Sequence, residues 1–72
     1  MKMIGEIPLR PQESLKVSLK EFKGGDYVDI RVYFEATESD IVLPSKKGLT
    51  IRASLLPELI TLLQKANDEE KI

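Results

Sequence analysis

Seventy-two residues with neither Cys nor His make one domain with no disulfide, no ordinary zinc or iron–sulfur site and no Ser-His or Cys-His nucleophile pair, so no catalytic residue, metal or cofactor is expected. Lacking such staples, a chain this short is expected to complete its apolar burial by pairing with a second copy. The net charge of −1 is unevenly spread: Lys46, Lys47 and Arg52 share residues 43–52 with no acid, which makes a local basic field on a near-neutral protein.

Residues 1–13 carry Gly5, Pro8 and Pro11, which forbid a helix interior and disfavour a central strand, so an extended arm or edge segment is expected. No apolar run there has the length of a signal peptide, and none in the chain is long enough for a membrane-spanning helix; no membrane association is expected. From Leu15 to Phe22 the residues alternate, with Leu15, Val17 and Leu19 against Lys16, Ser18, Lys20 and Phe22. Tyr27–Phe34 alternates again, with Val28, Ile30, Val32 and Phe34 against Tyr27, Asp29, Arg31 and Tyr33. Period two means half-buried strands, and Gly24-Gly25 between them supplies the positive φ of a tight hairpin.

Ala36–Asp40 is polar turn material. Ile41–Leu43 reads as a short strand stopped by Pro44, Ser45–Gly48 as a basic loop, and Leu49–Arg52 as a last short strand. Ser54 is placed to cap a helix whose first turn holds Pro57. Leu55, Leu56, Leu59, Ile60, Leu62, Leu63 and Ala66 then cover roughly 160° of that helix, wider than the ~100° stripe needed to dock on one sheet. The helix is therefore expected to pack on its own sheet and on a partner's helix. Residues 68–72 form an acidic, frayed tail, and residues 14–67 the domain proper.

The candidate chemistry sits on the polar face of the hairpin. Phe22 stands in line with Lys16 and Lys20 and next to Lys23, with Arg31 and either Tyr33 or Phe34 on the neighbouring strand. An aromatic among cations is a platform on which an unpaired base stacks while the cations hold phosphates. A ring at that position equally suits capping of the sheet edge, and at this level both readings stand. Asp29 reads as a structural ion-pair partner of Arg31 or a cross-strand lysine. Glu35, Glu38 and Asp40 lack the spacing of a calcium loop.

Three segments in order, Val17–Gly24 with its FKG, Val28–Phe34 with Asp29-Ile30-Arg31, and Leu43–Ile51 with Pro44-Ser45-Lys46-Lys47-Gly48, resemble the positive cofactor four family of transcriptional coactivators over about residues 14–66. The resemblance implies an α+β fold: a curved four-stranded antiparallel sheet followed by one C-terminal helix, a homodimer joined through its helices, and binding of single-stranded DNA without strong sequence preference. The family's DNA-contacting positions fall on Lys20, Phe22, Lys23, Arg31, Phe34, Lys46 and Lys47. Strict alternation would instead put Tyr33 beside Arg31, and a bulge would be needed to bring Phe34 to that face. Gly25 and Leu43 stand where relatives often carry Lys, which lowers the expected affinity and salt sensitivity.

The function expected is that of a single-stranded DNA-binding protein of the coactivator type, serving transcription regulation, replication or repair. Single-stranded RNA is an alternative ligand, since stacking does not distinguish the sugars. A protein-interaction module that binds the transcription machinery is the other alternative, favoured by the near-neutral total charge. The absence of a Ser- and Lys-rich extension suggests a compact prokaryotic relative acting in the cytoplasm at the nucleoid; a eukaryotic one would be nuclear.

Overall fold

Three apolar cross-strand pairs, Leu15↔Val32, Val17↔Ile30 and Leu19↔Val28, set the register of the central hairpin, because a slip of one residue would turn every one of them to the other face. In the computed structural model, which describes residues 1–36 and 40–70, these pairs join β2 (Glu13–Phe22) to β3 (Gly25–Glu35) without a register shift. The register makes Phe22↔Gly25 the last pair, so the turn consists of Lys23 and Gly24. Their φ values are 51° and 79°. The sequence reading placed the turn on Gly24-Gly25; the apolar register moves it back one residue, and Lys23 takes the left-handed conformation.

Residues 1–13 supply β1 (Lys2–Arg10), antiparallel to β2 on the outer edge of the sheet. Pro8 is accepted there because an edge strand has one side with no ladder to complete. Irregularities in the pairing fall at Ile4 and Leu9. β4 (Val42–Arg52) pairs with β3 at the opposite edge, giving the order β1-β2-β3-β4. The two short strands and basic loop read from the sequence are thus one strand, with Pro44 again at an edge. The turn expected over Ala36–Asp40 lies partly outside the described residues; at its rim, the Ala36 amide donates to the Ile41 carbonyl at 3.0 Å.

A 3₁₀ turn (Ala53–Leu55) leads into α1 (Leu56–Glu70). The order ββββα is the expected one. The packing of α1 on its own sheet is not observed. The 3₁₀ turn rests against β3 and carries the helix away, so no residue of α1 is buried and Ile60, Leu62 and Leu63 are more than half exposed. The molecule is correspondingly flat, 41 × 40 × 18 Å. Among the described residues, Val28 at 1% exposure is the buried apolar core. Leu19, Phe34, Leu43 and Leu49, on the same face of the sheet, remain exposed. The tail expected over residues 68–72 continues the helix as far as Glu70; its last two residues lie outside the described ones.

Candidate nucleic-acid interface

The other face of the sheet carries the polar set of the alternation. Across β2 and β3 it pairs Ser14 with Tyr33, Lys16 with Arg31, Ser18 with Asp29 and Lys20 with Tyr27. β4 adds Thr50 opposite Asp29 and Arg52 opposite Tyr27. At the centre lies Asp29, only 1% exposed, beside the equally buried Ser18. A lone buried carboxylate would be costly, and this one is fully engaged. Thr50 Oγ1 donates to Asp29 Oδ1 at 2.7 Å. Arg31 Nη2 donates to Oδ1 at 3.2 Å, its Nε lies 3.3 Å from both oxygens, and Lys20 Nζ stands 3.9 Å from Oδ2. Burial pushes the Asp29 carboxyl up, but the hydrogen bonds from Thr50 and Arg31 and the charges of Lys20 and Arg31 outweigh it and hold the pKa below the ordinary aspartate value.

Two cations around one carboxylate leave an excess of positive charge on this face. The guanidinium of Arg31 is also fixed in direction, because its Nη1 donates to the Ser45 carbonyl at 3.0 Å. An arginine so immobilised loses little further rotamer freedom on meeting a phosphate.

Ser45 belongs to the second feature of the site. Between the pairs Arg31↔Gly48 and Tyr33↔Pro44, three residues of β4, Ser45, Lys46 and Lys47, oppose Val32 alone. This bulge is stapled from inside: Ser45 Oγ donates to the Val32 carbonyl at 2.8 Å and accepts from the Lys47 amide at 3.1 Å. It closes at Gly48, whose φ is 158° and where a Cβ would stand 2.5 Å from the Ile30 carbonyl oxygen. The outcome is a fixed protrusion with Lys46 and Lys47 exposed on it.

The aromatic rings complete the strip. Phe22 is 53% exposed, with Lys23 Nζ 5.3 Å from its ring centroid, and Lys16 Nζ stands 4.9 Å from the centroid of Tyr33. Both are cation–π distances. Lys20, Phe22, Lys23, Arg31 and Tyr33 therefore lie along one face or at its hairpin tip, with Lys46 and Lys47 on the adjoining bulge. Phe34 is on the opposite face, paired with Leu43 and Glu13. The bulge is carried by β4 and not by β3, so β3 keeps its alternation to the end. Sequence reasoning put Lys16 in line with Phe22 but assigned it no contact, and it left out Tyr27, Ser45 and Thr50. For Lys16 and Tyr27 the signal was present, since both alternate in phase with Phe22 and Arg31; for Ser45 and Thr50 it depends on which residue of β4 faces which of β3.

The comparisons with known proteins agree with this geometry. Two crystal structures of a PC4 homolog from Burkholderia pseudomallei K96243, in orthorhombic and tetragonal forms, superpose with TM-scores of 0.82 and 0.83 at 26% identity, covering 92% of this chain and 88% and 96% of theirs. The bacteriophage T5 homolog of the eukaryotic transcription coactivator PC4 shares the fold, with a TM-score of 0.79 at 21% identity over 97% of this chain and 80% of its own. No curated protein matched the sequence. The family model described as Transcriptional Coactivator p15 (PC4) matches residues 10–62, from the end of β1 through the bulge into α1, and the chain therefore belongs to that family.

Proposed function

We propose that this protein binds single-stranded DNA as a homodimer, in a sequence-tolerant manner and without catalysing a reaction. The observation that carries the reading is the pair of aromatic–cation contacts, the exposed Lys23 on Phe22 and the half-buried Lys16 on Tyr33, with Arg31 and Lys20 between them on one face. Phe22 and Tyr33 offer ring faces to unpaired bases, a contribution of about 1–3 kcal/mol per stacked base. Lys20, Lys23, Arg31, Lys46 and Lys47 neutralise the phosphates running alongside. Duplex DNA keeps its bases stacked inside and gains only the charge contribution.

The opposite face supports the dimer. Its exposed Leu19, Leu43 and Leu49, together with the uncovered stripe of α1, form apolar surface of a kind that monomers rarely leave open over a large contiguous area. Family membership supports a role on DNA in transcription regulation, and the T5 homolog, implicated in recombination-dependent DNA replication, extends the range of such roles to replication.

The experiment is fluorescence anisotropy of a labelled oligo-dT of about twenty nucleotides at low and moderate salt, with duplex DNA and oligo-rU as competitors. Salt-sensitive binding that duplex fails to displace is the expected result. Equal competition by oligo-rU would widen the ligand to RNA. No binding at low salt would overturn the reading and leave a protein-interaction module in its place.

A further inference from the structure

Tyr27 has no part in the contacts that define the interface, yet its ring lies on the same face, between Lys20 of β2 and Arg52 of β4. With Phe22, Lys20, Thr50, Glu21 and Met1 it lines a cavity of about 490 Å³, within the range of roughly 300–1,000 Å³ usual for small-molecule sites. The shape of this cavity depends on Gly25. A Cβ at that position would stand 3.1 Å from Tyr27 Cε2 and 3.3 Å from its hydroxyl oxygen, so the absence of a side chain lets the tyrosine ring lean over the hairpin toward Phe22. A Cβ at position 25 would require the ring to give by a few tenths of an ångström.

We propose that Tyr27, seated on Gly25, and Phe22 form a pocket that receives one unpaired nucleobase of the bound strand. The inference rests on the single-strand reading above and names a subsite within it. The charges decide what enters. Lys20, the cation on the wall, lies 3.9 Å from the Asp29 carboxylate, which offsets part of its charge, so the pocket itself attracts a phosphate less than an unpaired lysine would. A neutral aromatic base meets two rings, which stack on it whatever its identity. Phosphates run past the rim of the pocket, alongside Lys20, Lys23, Arg31 and the Lys46–Lys47 bulge. The strand thus lies with its backbone toward β4 and one base turned in at the hairpin.

The test compares labelled oligo-dT with the same sugar–phosphate strand made abasic throughout, using wild type, Tyr27→Phe, Tyr27→Ala and Gly25→Ala. Tyr27→Ala and Gly25→Ala are expected to weaken oligo-dT binding by about tenfold, the value of one stacked base, with the salt slope unchanged. Tyr27→Phe, which keeps the ring, binds as wild type. Binding of the abasic strand is the same for all four proteins. Loss of abasic and oligo-dT binding in equal measure, or no loss on oligo-dT, overturns the pocket while the single-strand reading survives. Failure of wild type to bind oligo-dT removes both. Should Tyr27→Ala lose its circular-dichroism signature, irradiating wild type with 5-iododeoxyuridine strands decides. Adducts on Tyr27, found by mass spectrometry, uphold the pocket, and adducts confined to other residues overturn it.

Discussion

Thr50 Oγ1 donates to Asp29 Oδ1 at 2.7 Å, tying the edge strand β4 to the buried carboxylate at the centre of the binding face. Asp29 in turn orients Arg31 and draws Lys20 toward it. The charges of the candidate interface are therefore arranged by an acid that is itself buried. This arrangement explains an aspartate in the middle of a basic strip: it offsets one of the two positive charges beside it and fixes the direction of both side chains.

The folded-state pKa of Asp29 lies below its unfolded value, so its ionised contacts contribute stability that is present above the unfolded pKa and lost as pH falls through the folded one. Wild type is expected to lose part of its stability on acidification below about pH 4. Asp29→Asn keeps the bond from Thr50 but leaves two cations without a counterion, at a cost of about 1–3 kcal/mol near neutral pH. Thermal melts between neutral and acid pH check both points: the gap between variant and wild type should narrow as the pH drops. A gap constant with pH would mean that Asp29 acts by shape alone.

Phe22 and the β4 bulge contribute to binding in different ways. Phe22→Ala removes a stacking surface and is expected to weaken oligo-dT binding about fivefold or more at every salt concentration. A Lys46→Ala, Lys47→Ala double variant removes two phosphate contacts, and the slope of log K against log salt should fall by about 1.4 for a single strand. Ser45→Ala keeps both lysines but takes away the hydroxyl that shapes the bulge, at about 1 kcal/mol of stability. Anisotropy titrations over a salt series separate the three, and an unchanged slope in the double variant would remove the bulge from the interface.

Gly48 is where the bulge rejoins the ladder. With φ at 158° and a Cβ 2.5 Å from the Ile30 carbonyl oxygen, an alanine there must displace backbone and not merely a flexible side chain. Gly48→Ala is expected to cost about 1–3 kcal/mol. For a domain of this size that corresponds to a melting temperature lower by several degrees per kcal/mol, about 4–8 °C each. A melt unchanged from wild type would show that the strand accommodates the methyl.

The hairpin was legible because each residue of Leu15–Phe22 and Tyr27–Phe34 has one neighbour opposite, and alternation alone sorts the faces. That sorting placed Lys20, Phe22, Arg31 and Tyr33 together and Phe34 with the apolar side, as the structure does. The edges were harder to read. Pro8 and Pro44 look like breaks in a one-dimensional pattern, whereas an edge strand tolerates each missing donor; Pro11 falls in the turn between β1 and β2. Lys46-Lys47-Gly48 looked like a loop because the staple that makes it a bulge runs from Ser45 to Val32, thirteen residues away. The breadth of the apolar stripe on α1 was visible; that α1 leaves its own sheet was not, because periodicity reports a face and not what covers it.

That uncovered stripe leads to the last prediction. Ile60, Leu62 and Leu63 on α1 are 56%, 64% and 58% exposed, and the apolar face of the sheet exposes Leu19, Leu43 and Leu49 as well. A single chain in which Val28 alone among the described apolar residues is fully buried has little to set against its conformational entropy. Pairing two chains so that each helix stripe is covered supplies the missing burial, and folding is then coupled to association. The melting temperature is accordingly expected to rise with protein concentration, and sedimentation velocity to give twice the chain mass. Leu62→Glu places a charge on the stripe while keeping a good helix former at that position; it should lower the melting temperature and abolish the concentration dependence. A wild type that sediments as a monomer with a concentration-independent melt would contradict the dimer, and the core would then have to be sought within the single chain.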